Sequence, residues 1–335
     1  MTAVESSAEL LAVIIPYYQK ETKLLRAAIE SVLMQEVPEN LSVLILVIDD
    51  ESPCPAEDSL DGIEVSEPFK IEVIKKANGG AASARNTGLD LCEKNDVQYV
   101  AFLDSDDRWL QSHICDGIAH LRREAVDLWF ADSYDNGHLT SFSFQKYMTS
   151  RHSIGVPGRE EVGQLEGREI FSELIKDCLP HTSTVIYNFR KHANCRFDEN
   201  LKIAGEDHLF WISIAYNSKI FQYTTAIRGI RDVGISIFRN SLSWDSPEIL
   251  RINMYQYLLR RKLEKHFRLN FQEKSSNGKI RNANAYFLFF LSVRNFLKMP
   301  VRVARVLIET LLISPTFPMH VVAGALDNDK RAISD

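Results

Sequence analysis

The chain has 335 residues, 45% hydrophobic and 25% charged, enough to bury one large core with an appendage or two smaller cores. Its formal net charge of -6 excludes the broad basic face of a nucleic-acid binder. The five cysteines (Cys54, Cys92, Cys115, Cys178, Cys195) are scattered, with no CxxC pair and no Cys/His metal spacing, and read as reduced, cytosolic thiols.

The lead-in MTAVESSAELLAV is acidic where a secretory signal is basic, so a cytoplasmic location is expected. LAVIIPYY is the first strand pattern, followed by a helical pattern from Lys23 to Gln35 that Pro38 closes. LSVLILVID and KIEVIKK read as further strands. Gly79 and Gly80 then open an Ala- and Arg-rich helix ending near Lys94, and VQYVAFLD returns to a strand pattern. Short apolar runs alternating with amphipathic helices predict an α/β domain whose central sheet is mostly parallel and covered on both faces. Ligands on such sheets bind at the carboxyl ends of the strands, which gives priority to Pro16 to Tyr18, Asp49 to Ser52 and Asp104 to Asp107.

From about Ser141 to Glu169, Gly155, Pro157, Gly158, Gly163 and Gly167 punctuate a polar stretch that predicts a surface loop. EIFSELIKDCL resumes a helical period and STVIYN reads as a strand. In CRFDENLKIAGEDHLFWISIAY an acidic turn opens an amphipathic helix. After about Trp244 the chain turns helical and basic, with thirteen Arg and Lys against three Glu between Arg251 and Thr310. YFLFFL and VARVLIETLLI set apolar residues beside these cations. Two settings suit such a region: the surface of an anionic membrane, or a solvated cap packed on the acidic domain. Thr310 to Leu326 carries no charge but contains Pro315, Pro318 and His320, and reads as interfacial or packed rather than spanning.

Four constellations carry chemistry. In VAFLDSDDRWL an apolar strand runs into Asp104, Asp106 and Asp107. Along an extended strand end Asp104 and Asp106 would share a side, and magnesium or manganese is typically held by one or two carboxylates plus substrate phosphates; a solvated acidic turn is the alternative. In LILVIDDES, Asp49 and Asp50 either face a nucleotide base or ribose or cap a helix or turn. In NGGAASARNTGL small residues permit close approach, and Arg85 offers a permanently charged planar fork to a ligand or to a carboxylate of the domain itself. In AGEDHLFW, Glu206 and Asp207 stand at a helix start, where the dipole favours carboxylates and where one could act as a general base.

Taken in order, AVIIPYYQKETKLLRAAIESVLMQ, VIDDES, NGGAASARNTGL, FLDSDDRW and FDENLKIAGEDHLFW resemble the motifs of the family 2 glycosyltransferases with the GT-A fold, over about residues 10 to 240. The resemblance implies a GT-A type α/β domain over 1–244, its nucleotide-binding half 1–107 and its acceptor half 108–244, followed by a helical basic region over 245–335. Pro16, Tyr18, Asp50 and Arg85 would line the uracil and ribose pocket of a UDP-sugar. Asp104 and Asp106 would hold manganese or magnesium, Asp106 the firmer ligand, with Asp107 beside the donor. Asp207 would be the catalytic base and Glu206 a neighbour orienting the acceptor or the base. Trp109, Trp211 and His208 would be sugar-side neighbours, with core packing the alternative for the tryptophans.

The implied reaction is a single in-line displacement with inversion. It moves one sugar, glucose or a related hexose, onto a saccharide acceptor carried on polyprenyl diphosphate, in exopolysaccharide, O-antigen or capsule assembly. The enzyme would be cytoplasmic, or peripheral on the inner face of the membrane. Two departures matter. The chain lacks the QxxRW signature and spanning helices of processive synthases, which implies a one-sugar transferase. IRGIRDVGISIF lacks the histidine often found after the corresponding arginine, which weakens any diphosphate role for Arg231 or Ser236. Two other readings stand beside this one: a sugar-phosphate nucleotidyltransferase, against which IPYYQKE speaks because a glycine-rich basic loop is expected there, and a non-catalytic nucleotide-sugar-binding module.

Overall fold

The architecture comes from a computed structural model, which describes residues 9–20, 23–123, 125–135, 162–231, 244 and 246–332. Its contacts divide the chain into two units, Met1–Glu199 with Phe210–Gly234, and Asn200–Leu209 with Ile235–Asp335.

The first unit is built on one sheet. Strands β1 (Glu9–Tyr17), β2 (Leu41–Asp49), β3 (Phe69–Lys75) and β4 (Tyr99–Phe102) alternate with helices α1 (Lys23–Leu33) and α2 (Ala81–Lys94). They pair in parallel in the order β3-β2-β1-β4. The sheet continues through β8 (Val185–Asn188), β6 (Val126–Asp135), β9 (Ile220–Arg231) and β5 (Asp107–Trp109), with β7 (Val162–Glu166) on β9. In this half β6–β9 is parallel, while the shorter β4–β8, β6–β8, β5–β9 and β7–β9 ladders are antiparallel. Parallel pairing therefore dominates by length.

The unbroken apolar runs of β1 and β2 follow from cover on both faces. Leu11, Val13 and Ile15 point one way, into a cluster with Leu25, Ala28, Ile29 and Val32 of α1. Ile14 points the other way, against α2, where Gly88 permits the close approach. A Cβ on Gly88 would stand 2.6 Å from Ile14 Cγ2. Gly88→Val is expected to destabilise the domain by about 1–3 kcal/mol of overpacking, more than the few tenths it gains in helix propensity. A lower urea midpoint with an unchanged m-value is the measurement that checks it.

Between these strands lie α3 (His113–Leu121) and α4 (Arg168–Lys176), and α5 (Glu206–Tyr216) precedes β9. Phe210 and Trp211 of α5 enter an aromatic core with Phe102, Tyr187 and Phe197, the Phe197 and Phe210 rings stacking at 3.9 Å. Trp109 and Trp211 are both buried, and each indole N–H donates inside the protein, to Ser183 O and Thr182 Oγ1. Core packing is the role these tryptophans fill, not a sugar-facing one. Asn86 of α2 binds Phe197 through both backbone groups (Nδ2 to O 3.0 Å, N to Oδ1 2.8 Å) and so fixes the chain entering the RFDE turn.

One expectation needs correction. Of the stretch predicted to be loop from Ser141 to Glu169, residues 141–161 lie outside the described residues, but Val162–Glu166 is strand β7 and α4 begins at Arg168. Gly163, read as loop punctuation, is a strand residue lying against the Tyr223 ring, where a Cβ would collide.

In the second unit the helices are α6 (Pro247–His266), α7 (Phe271–Asn295), α8 (Pro300–Ile313) and α9 (Phe317–Ala332). Ser246 caps α6, whose first residue is a proline, and Asn270 with Glu273 forms a full capping box on α7. Polar links run through the packed interior: the Tyr257 hydroxyl meets Ser314 Oγ and His320 Nδ1, each at 2.7 Å. Among the described residues no single helix is long and apolar enough to cross a membrane.

Candidate active site

Three strand ends and one helix start meet at one edge of the sheet. The Tyr17 carbonyl accepts from Asp50 N (3.0 Å), and Gln19 exchanges two 2.9 Å bonds with Ser52 Oγ through its backbone N–H and carbonyl. The Gln19 side-chain amide then donates to Ser105 O (3.2 Å) and Oγ (2.9 Å), tying the end of β1 to the acidic segment after β4.

That segment is not an extended strand end. Asp107 N donates to Asp104 O at 2.9 Å, which closes a turn over Ser105 and Asp106, and β5 starts at Asp107. The expectation that Asp104 and Asp106 line one side of a strand is corrected accordingly. Asp and Ser are favoured in such turns because their short polar side chains bond nearby backbone.

The carboxylates of the turn have different surroundings. Asp104 Oδ1 lies 2.7 Å from Nη2 of Arg85, itself buried on α2. Burial alone would raise the Asp104 carboxyl, but Arg85 above all, with His181 and Arg231 nearby, holds it below the usual range. Asp107 goes the other way. Buried, and facing the negative charge of Asp104 and Asp106, it is pushed well above the ordinary carboxylate range while Ser183 Oγ donates to its Oδ2 at 2.6 Å. Asp106 is half-buried.

His181, Ser183 and Trp109 complete the surround. Ser183 Oγ accepts from Asp104 N (3.1 Å) as it donates to Asp107, so one hydroxyl clamps both ends of the turn. His181 Nε2 stands 3.5 Å from Asp107 Oδ2. Burial first, then the charge of Arg231, lowers the His181 pKa to about 4, so the ring is neutral at neutral pH. Neither His181 nor Ser183 stands out in the sequence, because both sit in HTSTVIYN at the start of a strand pattern and not at the carboxyl end of one.

Asp50 is engaged from several sides. Lys76 Nζ pairs with its Oδ1 at 2.6 Å, Gly79 N donates to the same oxygen at 2.9 Å, and Gly80 N donates to Oδ2 at 2.7 Å. Asp49 is a local cap, accepting from Ser52 N and Ala56 N. Pro16 is half-buried on β1 opposite Ile48, and Tyr18 is 49% exposed beyond the strand. Arg85 also lies over the Phe197 ring at 5.3 Å. The structure thus gathers Arg85, Asp104, Asp106 and Asp107 in one cluster and sets Asp50 at the start of α2.

Glu206 and Asp207 belong to the second unit's segment and form the first turn of α5. Asp207 Oδ1 accepts from His208 N at 2.7 Å. Both carboxylates are half-buried, as the dipole at a helix start favours, and His208 is buried.

Among the described residues no group of three or more His, Cys, Asp or Glu is placed to hold a metal ion alone. With Asp107 drawn toward Ser183, the turn offers Asp104 and Asp106. Two carboxylates are the donor set that magnesium or manganese takes when substrate phosphates complete the shell, so the residues present fit such an ion.

Residues 12–183 match the sequence profile of Glycosyl transferase family 2. The chain belongs to that family. It is 34% identical over 259 residues to the succinoglycan biosynthesis protein ExoW of Rhizobium meliloti, covering 77% of this chain and 79% of the relative. It is also 34% identical over 209 residues to the UDP-Glc:alpha-D-GlcNAc-diphosphoundecaprenol beta-1,3-glucosyltransferase WfaP of Escherichia coli, covering 62% of this chain and 70% of that one. Among solved structures, S. aureus TarS 1-349 in complex with UDP-GlcNAc superposes with a TM-score of 0.59 at 18% identity, covering 96% of this chain and 89% of that chain. That likeness shows a shared GT-A type fold. The protein is thus a family 2 glycosyltransferase with relatives in polysaccharide biosynthesis.

Proposed function

We propose that the protein transfers a single sugar, glucose or a related hexose, from a UDP-sugar to a hydroxyl of a saccharide carried on polyprenyl diphosphate, with inversion at the anomeric carbon. The observation that carries this reading is the clamped acidic turn, Asp104 to Asp107 with Arg85, at the carboxyl ends of β1, β2 and β4 in a family 2 chain. The printed name of WfaP supports the donor and the lipid-diphosphate acceptor, and the UDP-GlcNAc complex of TarS supports a UDP-sugar.

In this reaction the acceptor oxygen attacks the anomeric carbon as the bond from that carbon to the donor diphosphate breaks. Asp207 takes the proton of the attacking hydroxyl, and Glu206 orients the acceptor or the base. The displacement is direct and needs no covalent sugar-enzyme intermediate. Pro16, Tyr18, Asp50 and Arg85 serve the nucleotide, with Asp107 beside the sugar. Arg85 keeps Asp104 ionised, and Ser183 holds the Asp107 carboxyl by a hydrogen bond. Asp106, with Asp104, would hold manganese or magnesium, which supplies neutralising charge for the departing diphosphate.

The experiment is a donor panel: UDP-, GDP- and dTDP-hexoses with manganese and a polyprenyl-diphosphate-linked saccharide, product stereochemistry read by NMR. A UDP-hexose with an inverted product is the expected outcome. A GDP- or dTDP-sugar as best donor would overturn the uracil assignment, and nucleotide-sugar binding without transfer or hydrolysis would make the protein a binding module.

A further inference from the structure

A helix on a protein surface normally has one apolar stripe, and that stripe faces the core. Three consecutive helices of the second unit have two. On α8, Val303, Val306 and Thr310 are buried, while Val301, Ile308, Leu311 and Leu312 are exposed around the opposite side. At the end of α7, Leu288, Leu291 and Asn295 are buried while Phe289, Val293 and Phe296 face solvent at helical spacing, followed by Leu297 at 91% exposure. On α9, Phe317 is buried while Met319, Val322 and Leu326 form an exposed stripe. Of the 21 exposed large hydrophobic residues described, 13 fall within residues 289–326. A concentration of this kind marks a surface that something covers.

Charge indicates what covers it. Residues 289–326 carry Arg294, Lys298, Arg302 and Arg305, all exposed, and one acid, Glu309, paired with Arg305 at 2.9 Å. Arg302 and Arg305 stand on the flank of α8 and, with Arg251, line a pocket of about 390 Å³ that also holds Glu248 and Glu309. Half-exposed Trp244 meets Phe290 edge-on at 6.1 Å under the Arg294 guanidinium, 5.5 Å from its ring. An amphipathic aromatic beside apolar side chains and cations is the composition of a membrane interface. Neither helix alone is long enough to cross: the 14 residues of α8 reach only about 21 Å and the 16 of α9 about 24 Å, against a hydrocarbon core of roughly 30 Å. The two helices also meet at a bend of 104°.

We infer that the end of α7, α8 and α9 form a monotopic docking face for an anionic lipid bilayer, with Leu297, Ile308, Leu312 and Val322 inserted among the acyl chains and Arg294, Lys298, Arg302 and Arg305 on the headgroup phosphates. Of the two settings open to the basic C-terminal region, this selects the membrane. The inference stands on the second unit alone; the proposed lipid-linked acceptor only gives it a use.

The test is flotation of the full chain with phosphatidylcholine vesicles made with and without phosphatidylglycerol. Binding is expected on the anionic vesicles and at least about tenfold weaker on neutral ones or in high salt. Leu297→Asp and the pair Ile308→Asp/Val322→Asp are each expected to lower binding by about tenfold or more. Circular dichroism and nucleotide-sugar turnover with a soluble acceptor should stay unchanged, because these side chains already face water. Absence of binding to either vesicle, or equal binding by the variants, would sink the inference. So would light scattering that shows Ile308→Asp/Val322→Asp converting a dimer to a monomer, which would give the face to a second copy. Intact vesicle binding with no sugar transfer from any donor would instead overturn the catalytic reading and leave this one standing.

Discussion

Asp207→Asn is expected to lower the transfer rate by about 100- to 10,000-fold, the usual worth of a positioned general base, with the KM for the nucleotide sugar little changed. The amide keeps the shape of the side chain and its oxygen, so the 2.7 Å bond from His208 N can persist and α5 keeps its first turn. Asn is also at home near a helix start, so stability should move by less than about 0.5 kcal/mol. What the amide cannot do is take a proton. A fall in kcat and kcat/KM together, with donor affinity preserved, is the signature of an interaction made in the transition state. Turnover at the wild-type rate would place the base elsewhere. Glu206→Gln, beside it, is expected to fall less.

His113→Phe is expected to change how stability depends on pH. His113 is fully buried between the rings of Trp109 (4.4 Å) and Trp129 (5.2 Å), and neither ring nitrogen meets a hydrogen-bonding group among the described residues. Burial first, and the charge of Arg228 second, depress its pKa to about 3. In the unfolded chain a histidine titrates near 6.5, so below that pH the unfolded state takes up a proton that the folded state refuses. The stability of the neutral ring is therefore full above about pH 6.5, and falls by up to ~1.4 kcal/mol per pH unit on the way down to the folded value. Phenylalanine keeps the aromatic contacts and has no proton to bind. By pH 5 the variant should have gained about 2 kcal/mol relative to wild type, read by urea unfolding at pH 7.5, 6 and 5. A parallel pH profile in both proteins would show that the ring is not held neutral. Some slope should remain in the variant, because His181 is also depressed, to about 4.

The first hundred residues were legible because a strand covered on both faces must be apolar throughout. LAVIIPYY and LSVLILVID could hardly be anything else, and Gly79 and Gly80 mark the start of α2. Beyond Asp104 the physics that shapes the chain is no longer local. β5 is three residues hidden in an acidic stretch, and β6 pairs with β9 across nearly a hundred residues with shifts in register. The VDLWFADSYD run has no clean period to announce it. The acidic turn was expected as a strand end because alternation of side chains is the default for an apolar run, whereas the Asp107 to Asp104 bond that turns it appears only in three dimensions. Ser183 and His181 lie more than seventy positions from the aspartates they attend, which no spacing rule connects. The double apolar faces of α7 to α9 were visible only as amphipathicity without a direction, since a sequence does not say which of two stripes the protein itself will cover.

The wrapping of Asp50 has a further consequence. The start of a helix after a glycine pair is, in many nucleotide-binding sheets, the place where a phosphate is received by backbone amides. Here the amides of Gly79 and Gly80 are already turned onto the Asp50 carboxylate, with Lys76 beside them. The protein has furnished this helix with a resident counter-ion. An anion arriving at the same edge of the sheet meets a positive pole that is largely neutralised, which leaves the guanidinium groups near Asp104, Arg85 farther along the same helix and Arg231, as the positive charges at that edge.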